Sequence, residues 1–288
     1  MGRRRPRPTP VLPEPLPGLV DAHTHLWSCG HRDPDAVRAA AGRAASTGVE
    51  TIVTVGDDLA ESEAAVAAAE ADPRVYAAVA VHPTRAHEVT DPAGGPTVRE
   101  RLRELAAHPR CVAVGETGLD FYWVGSMEGC ASPAEQEESL RWHAGLAAEL
   151  GKTLMIHNRD ADADLLRVLG EEYDGRADAP RVMLHCFSSP LEVAREALDR
   201  GYVLSFTGNV TFKANEHLRE AARLAPAGQL LVETDAPYMA PEPFRGATNE
   251  VGLVGYTARA VAEVRGQSPE ELVAEVRGTA RALFGVPA

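Results

Sequence analysis

Two histidines, His23 and His25, end an apolar segment near the start of the sequence and are separated by a single residue. Alternate residues of an extended strand point to the same face, so the two imidazoles would project side by side. Imidazole pairs of this kind are suited to holding a transition-metal ion. A surface pair or a hydrogen-bonded core pair has the same short pattern, so the interpretation depends on further ligands elsewhere in the chain.

Four more ionisable residues follow apolar segments in the same manner, namely Glu116, His157, His185 and Asp235. A carboxylate such as Glu116 is costly to bury unless it is paired or metal-bound, and its two oxygens can bridge two ions. An ion pair with an arginine is the alternative for Glu116, and a hydrogen-bonded core position is the alternative for each histidine. The recurrence favours one shared site, whose metal ligands would be His23, His25, Glu116, His157, His185 and Asp235.

The predicted ligands are nitrogen and oxygen donors without a thiolate. Such a set accepts Mg²⁺, Mn²⁺ or Zn²⁺, and the sequence does not select among them. Two divalent ions would lower the pKa of a shared water toward about 7 and polarise a phosphoryl or carbonyl oxygen. The sequence therefore predicts a metal-dependent hydrolase in which Asp235 and Glu116 are catalytic. Glu233 would lie deeper, behind the ligands or in the core, and Asp120 would either orient a ligand or face solvent.

Eight short apolar segments alternate with helical patterns and carry these residues at their carboxyl ends. They read as strands buried on both faces, and strands that alternate with helices form either a closed barrel or an open doubly wound sheet. The count of eight and the polar residues gathered at one end favour a single (β/α)8 TIM-type barrel over residues 19–288. A glycine-rich dinucleotide fingerprint, which the open sheet would favour, is absent after the first segment. The predicted strands are 19–26, 51–56, 75–83, 111–118, 153–160, 181–187, 202–208 and 230–237.

Three Ser-Pro-x-Glu motifs, beginning at Ser132, Ser189 and Ser268, mark predicted helix starts. In this arrangement serine caps the helix, proline takes the first helical position and glutamate bonds back to the cap. The motifs supply helices for the alternating pattern.

Residues 1–18 contain four arginines and six prolines, which predicts an extended tail. The tail lacks the apolar stretch of a secretory signal, and the sequence contains no apolar run of about 18 residues that would span a membrane. The four cysteines form no C-x-x-C pair, as is common for reduced cytosolic thiols. We therefore expect a cytoplasmic enzyme that neither binds membranes nor requires an obligate protein partner.

The formal net charge is −13, which excludes a basic surface extending over the whole protein. If the substrate is a nucleic acid, only a short single-stranded segment or a 3′ end would bind, close to the metal ions. Four residues at strand ends or in nearby loops are candidates for substrate contact, namely His82, Arg159, Lys213 and Arg245. The cationic ones could hold phosphates, or they could instead pair with the many surface acids.

The chain resembles the TatD family of metal-dependent deoxyribonucleases, which lies within the amidohydrolase-like barrels. The matching stretches are 21–26, 81–83, 115–120, 156–160, 185–187, 205–213, 233–238 and 245–250. The resemblance implies that His23, His25, Glu116 and Asp235 hold one metal ion, and that Glu116, His157 and His185 hold the other. It also implies hydrolysis of DNA phosphodiesters with 3′→5′ exonuclease action.

The sequence departs from the family pattern in the loop 121–130 and at Val251, where the family commonly has proline after Asn-x. Because barrel loops set specificity, an amidohydrolase or lactonase acting on a small molecule is the alternative. Many such enzymes bridge their metals with a carboxylated lysine, but neither Lys152 nor Lys213 lies at a suitable strand end. A binding protein without catalytic activity is a third class, which the complete ligand set disfavours.

Overall fold

The eight predicted strands form one parallel sheet in sequential order, as seen in a computed structural model that describes residues 8–286. The strands are β1 Leu19–Thr24, β2 Val49–Gly56, β3 Val75–Val79, β4 Cys111–Asp120, β5 Thr153–Arg159, β6 Val182–Leu184, β7 Val203–Phe206 and β8 Leu230–Val232. The helices are α1 Pro34–Ala45, α2 Leu59–Ala71, α3 His87–Thr90, α4 Gly95–Ala106, α5 Pro133–Leu150, α6 Asp162–Tyr173, α7 Leu191–Asp199, α8 Glu216–Leu224, α9 Val254–Arg265 and α10 Pro269–Phe284.

The sheet closes at its carboxyl end, where the backbone after β8 bonds to the end of β1. The Asp235 N–H donates to the His23 carbonyl at 2.9 Å, and the His25 N–H donates to the Ala236 carbonyl at 2.8 Å. The buried Asp21 carboxylate accepts the Thr234 backbone N–H at 2.8 Å across the same seam. The prediction of a (β/α)8 barrel is confirmed, and the seam passes through the predicted metal ligands.

Several strands end earlier than predicted, because the backbone leaves the ladder before the functional residue. His185 follows β6 immediately, and Asp235 lies three residues beyond β8. Cys186 and Asp235 have positive φ angles of 43° and 54°. The left-handed backbone at these two positions turns the chain out of the sheet at the barrel mouth.

Two of the three predicted helix caps are confirmed. Ser132 and Ser268 each form a capping box with the glutamate three residues later. The third prediction is wrong: helix α7 begins at Leu191 without a side-chain cap, and the Ser189 hydroxyl instead donates to the Asp162 carboxylate at 2.6 Å. A hydrogen bond to a charged acceptor is stronger than one that caps a backbone N–H.

Residues 8–18 contain no helix or strand, and several of them pack on the barrel exterior. Leu16 is buried, and its N–H donates to the Thr47 carbonyl at 2.9 Å. The Tyr256 hydroxyl donates to the Val11 carbonyl at 3.2 Å. The first seven residues of the predicted tail lie outside the described residues. Among the helices of residues 8–286, none is both long and apolar enough to cross a membrane.

Candidate metal centre

Glu116 lies at the centre of the barrel mouth, surrounded by four imidazole rings. Its Oε2 lies 3.0 Å from Nε2 of His23 and 3.1 Å from Nε2 of His185. Its Oε1 lies 3.2 Å from Nε2 of His82 and 3.5 Å from Nδ1 of His157. Burial alone would raise the pKa of Glu116, but the surrounding histidines hold it well below its usual range. The carboxylate is therefore ionised and offers an oxygen to each side of the site.

Two groups of ligand atoms flank this carboxylate. On one side Nε2 of His25 lies 3.0 Å from Nε2 of His23 and 3.4 Å from Oδ1 of Asp235. On the other side Nδ1 of His157 lies 3.3 Å from Nε2 of His185. Donor atoms lie within 4.8 Å of one another in the set His23, His25 and Glu116 and in the set Glu116, His157 and His185. The six ligands predicted from the sequence therefore converge at one place.

The chemistry of this donor set fits divalent cations. Two imidazole nitrogens that face each other at 3.0 Å, as in His23 and His25, cannot both carry a proton, so a lone pair is directed into the gap. The Oε2 atom of Glu116 is buried, and although two imidazole nitrogens lie within 3.1 Å of it, no group within residues 8–286 makes a hydrogen bond of good geometry with it. Buried polar atoms of this kind are expected where a cation supplies the missing interaction.

Three of the predicted ligand histidines have a carboxylate close to their outer ring nitrogen. Such carboxylates fix the ring orientation and tautomer of metal-binding histidines. Two of the pairs are hydrogen-bonded, His157 Nε2 with Asp120 Oδ2 at 3.1 Å and His185 Nδ1 with Glu233 Oε1 at 3.3 Å. In the third, Asp57 Oδ1 lies 3.3 Å from Nδ1 of His25 without a hydrogen bond of good geometry. The sequence places Glu233 behind the ligands or in the core, and Glu233 is buried behind His185. For Asp120 the sequence leaves open whether it orients a ligand or faces solvent, and Asp120 is buried against His157.

Sequence reasoning missed Asp57 and the role of Asp21. Asp57 immediately follows β2, so the strand-end rule that found Glu116 could have found it as well. Asp21 is fully buried, and burial raises its pKa well above the usual value despite hydrogen bonds from Thr234. Its contact with the Thr234 backbone positions the segment that carries Asp235. This contact joins β1 to the chain after β8, so no local sequence pattern predicts it.

Comparison with known proteins agrees with the geometry. A profile of the family described as TatD related DNase matches residues 20–285. A metal-dependent hydrolase, TatD, of Mycobacterium tuberculosis is 52% identical over 268 residues, which cover 93% of this chain and 98% of the relative. The chain belongs to the TatD family. It is a metal-dependent hydrolase, and the resemblance seen in the sequence is confirmed.

Two further TatD proteins match over most of their length. The 3′-5′ ssDNA/RNA exonuclease TatD of Cronobacter sakazakii is 36% identical over 247 residues, covering 84% of this chain and 89% of the relative. The crystal structure of YJJV, a TatD homolog from Escherichia coli k12, superposes with a TM-score of 0.79 at 25% identity. That match covers 94% of this chain and 99% of the other.

A cleft of 690 Å³ opens above the TatD ligand set and is lined by two of the four predicted substrate contacts, His82 and Arg159. Nδ1 of His82 accepts the Thr84 N–H at 3.2 Å, so a neutral His82 carries its proton on Nε2, which faces Glu116. Lys213 is exposed and Arg245 covers the Phe212 ring at 4.3 Å, and neither lines the cleft.

Proposed function

We propose that this TatD-family hydrolase is a deoxyribonuclease that removes nucleotides from short single-stranded or 3′-terminal DNA in the 3′→5′ direction. The observation that carries the proposal is the position of the Glu116 carboxylate, which faces imidazole nitrogens on both sides at 3.0 to 3.5 Å. Two cations joined by one carboxylate suit in-line displacement at phosphorus. The name of the Cronobacter sakazakii relative, a 3′-5′ ssDNA/RNA exonuclease, supports the same substrate class.

In this proposal the site holds two divalent ions, with Mg²⁺, Mn²⁺ and Zn²⁺ as candidates. His23, His25, Glu116 and Asp235 would hold one ion, and Glu116, His157 and His185 would hold the other. When bound, the ions supply positive charge that polarises the phosphoryl oxygen and acidifies the attacking water.

The remaining steps fall to side chains of the cleft. Asp235 is close to both His23 and His25 and accepts the proton of the attacking water. His82 lines the cleft and contacts the substrate beside Glu116, the carboxylate that its Nε2 faces at 3.2 Å. Arg159 supplies a guanidinium charge for a phosphate next to the scissile bond.

The amidohydrolase or lactonase alternative has less support in this chain. A β-aspartyl dipeptidase from Fervidobacterium islandicum superposes with a TM-score of 0.57 at 15% identity, which is evidence for the fold alone. A carboxylated lysine bridge would need a lysine at the mouth. Lys152 precedes β5 at the opposite end of the barrel, where its Nζ donates to the Cys111 carbonyl at 2.6 Å.

The test uses the purified full-length chain, freed of metal and supplied separately with Mg²⁺, Mn²⁺ or Zn²⁺. We expect stepwise release of nucleotides from 5′-labelled single-stranded DNA, and no release by the Glu116→Gln variant. RNA of the same sequence measures the sugar preference, and a panel of amides and lactones tests the alternative. A chain that degrades neither DNA nor RNA with any of these ions would refute the proposal.

A further inference from the structure

The exposed apolar side chains of this protein are concentrated around the metal cleft. Six large apolar residues are exposed within residues 8–286, and four of them belong to two segments at the barrel mouth. Tyr122 and Met127 lie in the loop 121–130, and Tyr238 and Met239 follow β8. Met127, Tyr238 and Met239 line the cleft together with Trp123. Exposed apolar surface of this kind marks a binding site.

The loop 121–130 has a rigid base. The buried Gln136 side chain accepts the Asp120 N–H at 2.7 Å and donates to the Ala131 carbonyl at 3.0 Å, which ties the two ends of the loop together. Within the loop the N–H groups of Ser126 and Met127 donate to the Trp123 carbonyl. Trp123 therefore occupies a preorganised turn, and ligand binding costs little ordering of the loop.

Trp123 is linked to the metal centre through a single carboxylate. Its backbone N–H donates to Oδ1 of Asp120 at 3.4 Å, and Oδ2 of the same residue lies 3.1 Å from His157. Trp123 is one of the residues that line the cleft, and it is partly exposed. This connection holds the backbone of Trp123, and with it the attachment point of the aromatic ring, beside the predicted metal ligands.

Arg159 adds a positive charge next to this aromatic ring. Its guanidinium lies 3.7 Å from the Tyr122 ring centre and 5.5 Å from that of Trp123. Within residues 8–286 no carboxylate forms a salt bridge with Arg159, whereas Arg85, the other arginine of the cleft, pairs with Asp58 and Glu88. An arginine held by stacking in a strongly acidic protein retains its donors for an anionic ligand.

We propose that Trp123 is a stacking platform for an unpaired nucleobase next to the scissile phosphodiester, and that Arg159 binds the phosphate attached to that nucleotide. The inference rests on the proposed nuclease function and adds the element that recognises the substrate. An aromatic face beside a cation matches the alternation of base and phosphate along a single strand. Stacking is indifferent to base identity but needs a base free of its complement, so the enzyme selects single strands without sequence preference.

The test combines changes in the enzyme with changes in the substrate. Trp123→Leu removes the aromatic face but keeps apolar volume, and Trp123→Phe keeps a stacking surface. Each enzyme is given single-stranded DNA with ordinary 3′-terminal nucleosides and the same strand with tetrahydrofuran abasic analogues at the last two positions. We expect the wild type to favour the ordinary strand on the order of 10-fold in kcat/KM, and Trp123→Leu to lose that preference. Trp123→Phe retains most of it.

The effects of Trp123→Leu and of the missing base on kcat/KM should be non-additive, because both changes remove the same contact. Leu224→Ala, which shortens an exposed apolar side chain at the end of α8, is the matched control and leaves the preference unchanged. The inference would be overturned if Trp123→Leu lost the same fraction of kcat/KM on both strands, or if the wild type cleaved both strands equally well. Either result would leave the proposed nuclease function intact. Cleavage of neither strand would refute the proposed function and this inference together.

Discussion

Oδ2 of Asp120 lies 3.1 Å from Nε2 of His157 and fixes the ring so that Nδ1 faces Glu116 at 3.5 Å. Burial alone would lower the pKa of His157, but the hydrogen bonds with Asp120 and Glu116 raise it to about 9. Asp120 is itself buried and is held by the Gln136 side chain through its backbone. The ring of His157 is therefore held between two carboxylates, and when a cation displaces the proton on Nδ1 the contact with Asp120 keeps the freed lone pair directed at the metal centre.

We predict that Asp120→Asn weakens metal binding by about 10- to 100-fold, because the amide neither fixes the histidine tautomer nor strengthens the ring as a ligand. Titration calorimetry of Mn²⁺ or Zn²⁺ into the metal-free protein measures the change. Asp199→Asn, an exposed acid at the end of α7, is the control and binds as the wild type does. Unchanged affinity in Asp120→Asn would mean that the contact with His157 does not support metal binding.

We predict that Asp235→Asn lowers kcat by about 10²- to 10⁴-fold, the range expected for loss of a proton acceptor. The substitution preserves side-chain volume and the backbone bond from residue 235 to the His23 carbonyl, so the fold is retained. Steady-state kinetics at saturating metal and thermal unfolding measure the two effects. A variant that keeps the wild-type kcat would remove Asp235 from the proton-transfer step.

The alternation of strands and helices could be predicted because it depends on local patterns. Strands buried on both faces require continuous apolar runs, and the barrel mouth is where such runs give way to Glu116, His157 and His185. Strand ends could not be predicted, because β6 and β8 pair over three residues only and the left-handed backbone at Cys186 and Asp235 then turns away.

The convergence of the six candidate metal ligands at one mouth could be predicted from strand-end positions, but most of the contacts that support them could not. The carboxylate of Asp57 reaches His25 only after β1 and β2 are paired. The contact of Arg159 with Tyr122 depends on the path of the loop 121–130, for which the sequence offers no periodic pattern. Lys213 and Arg245 looked equivalent to Arg159 in the sequence, yet neither lines the cleft, and Arg245 instead covers the Phe212 ring.

We predict that Arg159→Gln raises KM for single-stranded DNA by on the order of 10-fold and lowers the salt dependence of binding by about one unit of slope. The effect arises because the substitution removes one phosphate contact and its released counterion. Fluorescence anisotropy at several salt concentrations, with the inactive Glu116→Gln background, measures binding without cleavage. Arg195→Gln, on the exposed face of α7, serves as control. An unchanged slope in Arg159→Gln would assign the phosphate contact to another group.

The last prediction concerns His143, which is fully buried in α5 near the barrel mouth. Nδ1–H of His143 donates to the Ser139 carbonyl at 2.8 Å, and Nε2 accepts the Val81 N–H at 3.2 Å. Burial lowers the pKa of His143 to about 4. Between that value and the unfolded value of about 6.5, the unfolded chain binds a proton that the folded protein does not.

This residue should therefore make the fold less stable as the pH falls from about 6.5 to about 4, with a total effect of about 3 kcal/mol. At pH 7 the neutral ring satisfies both of its partners, so His143→Asn is destabilising there by about 1 kcal/mol or more. Urea unfolding of both proteins without metal, at several pH values from 7 to 4, gives the difference in free energy of unfolding. We expect that difference to shrink and then reverse on acidification, because the asparagine variant has no proton to gain at this position. A difference that stays constant across the range would show that His143 remains able to bind its proton in the folded state.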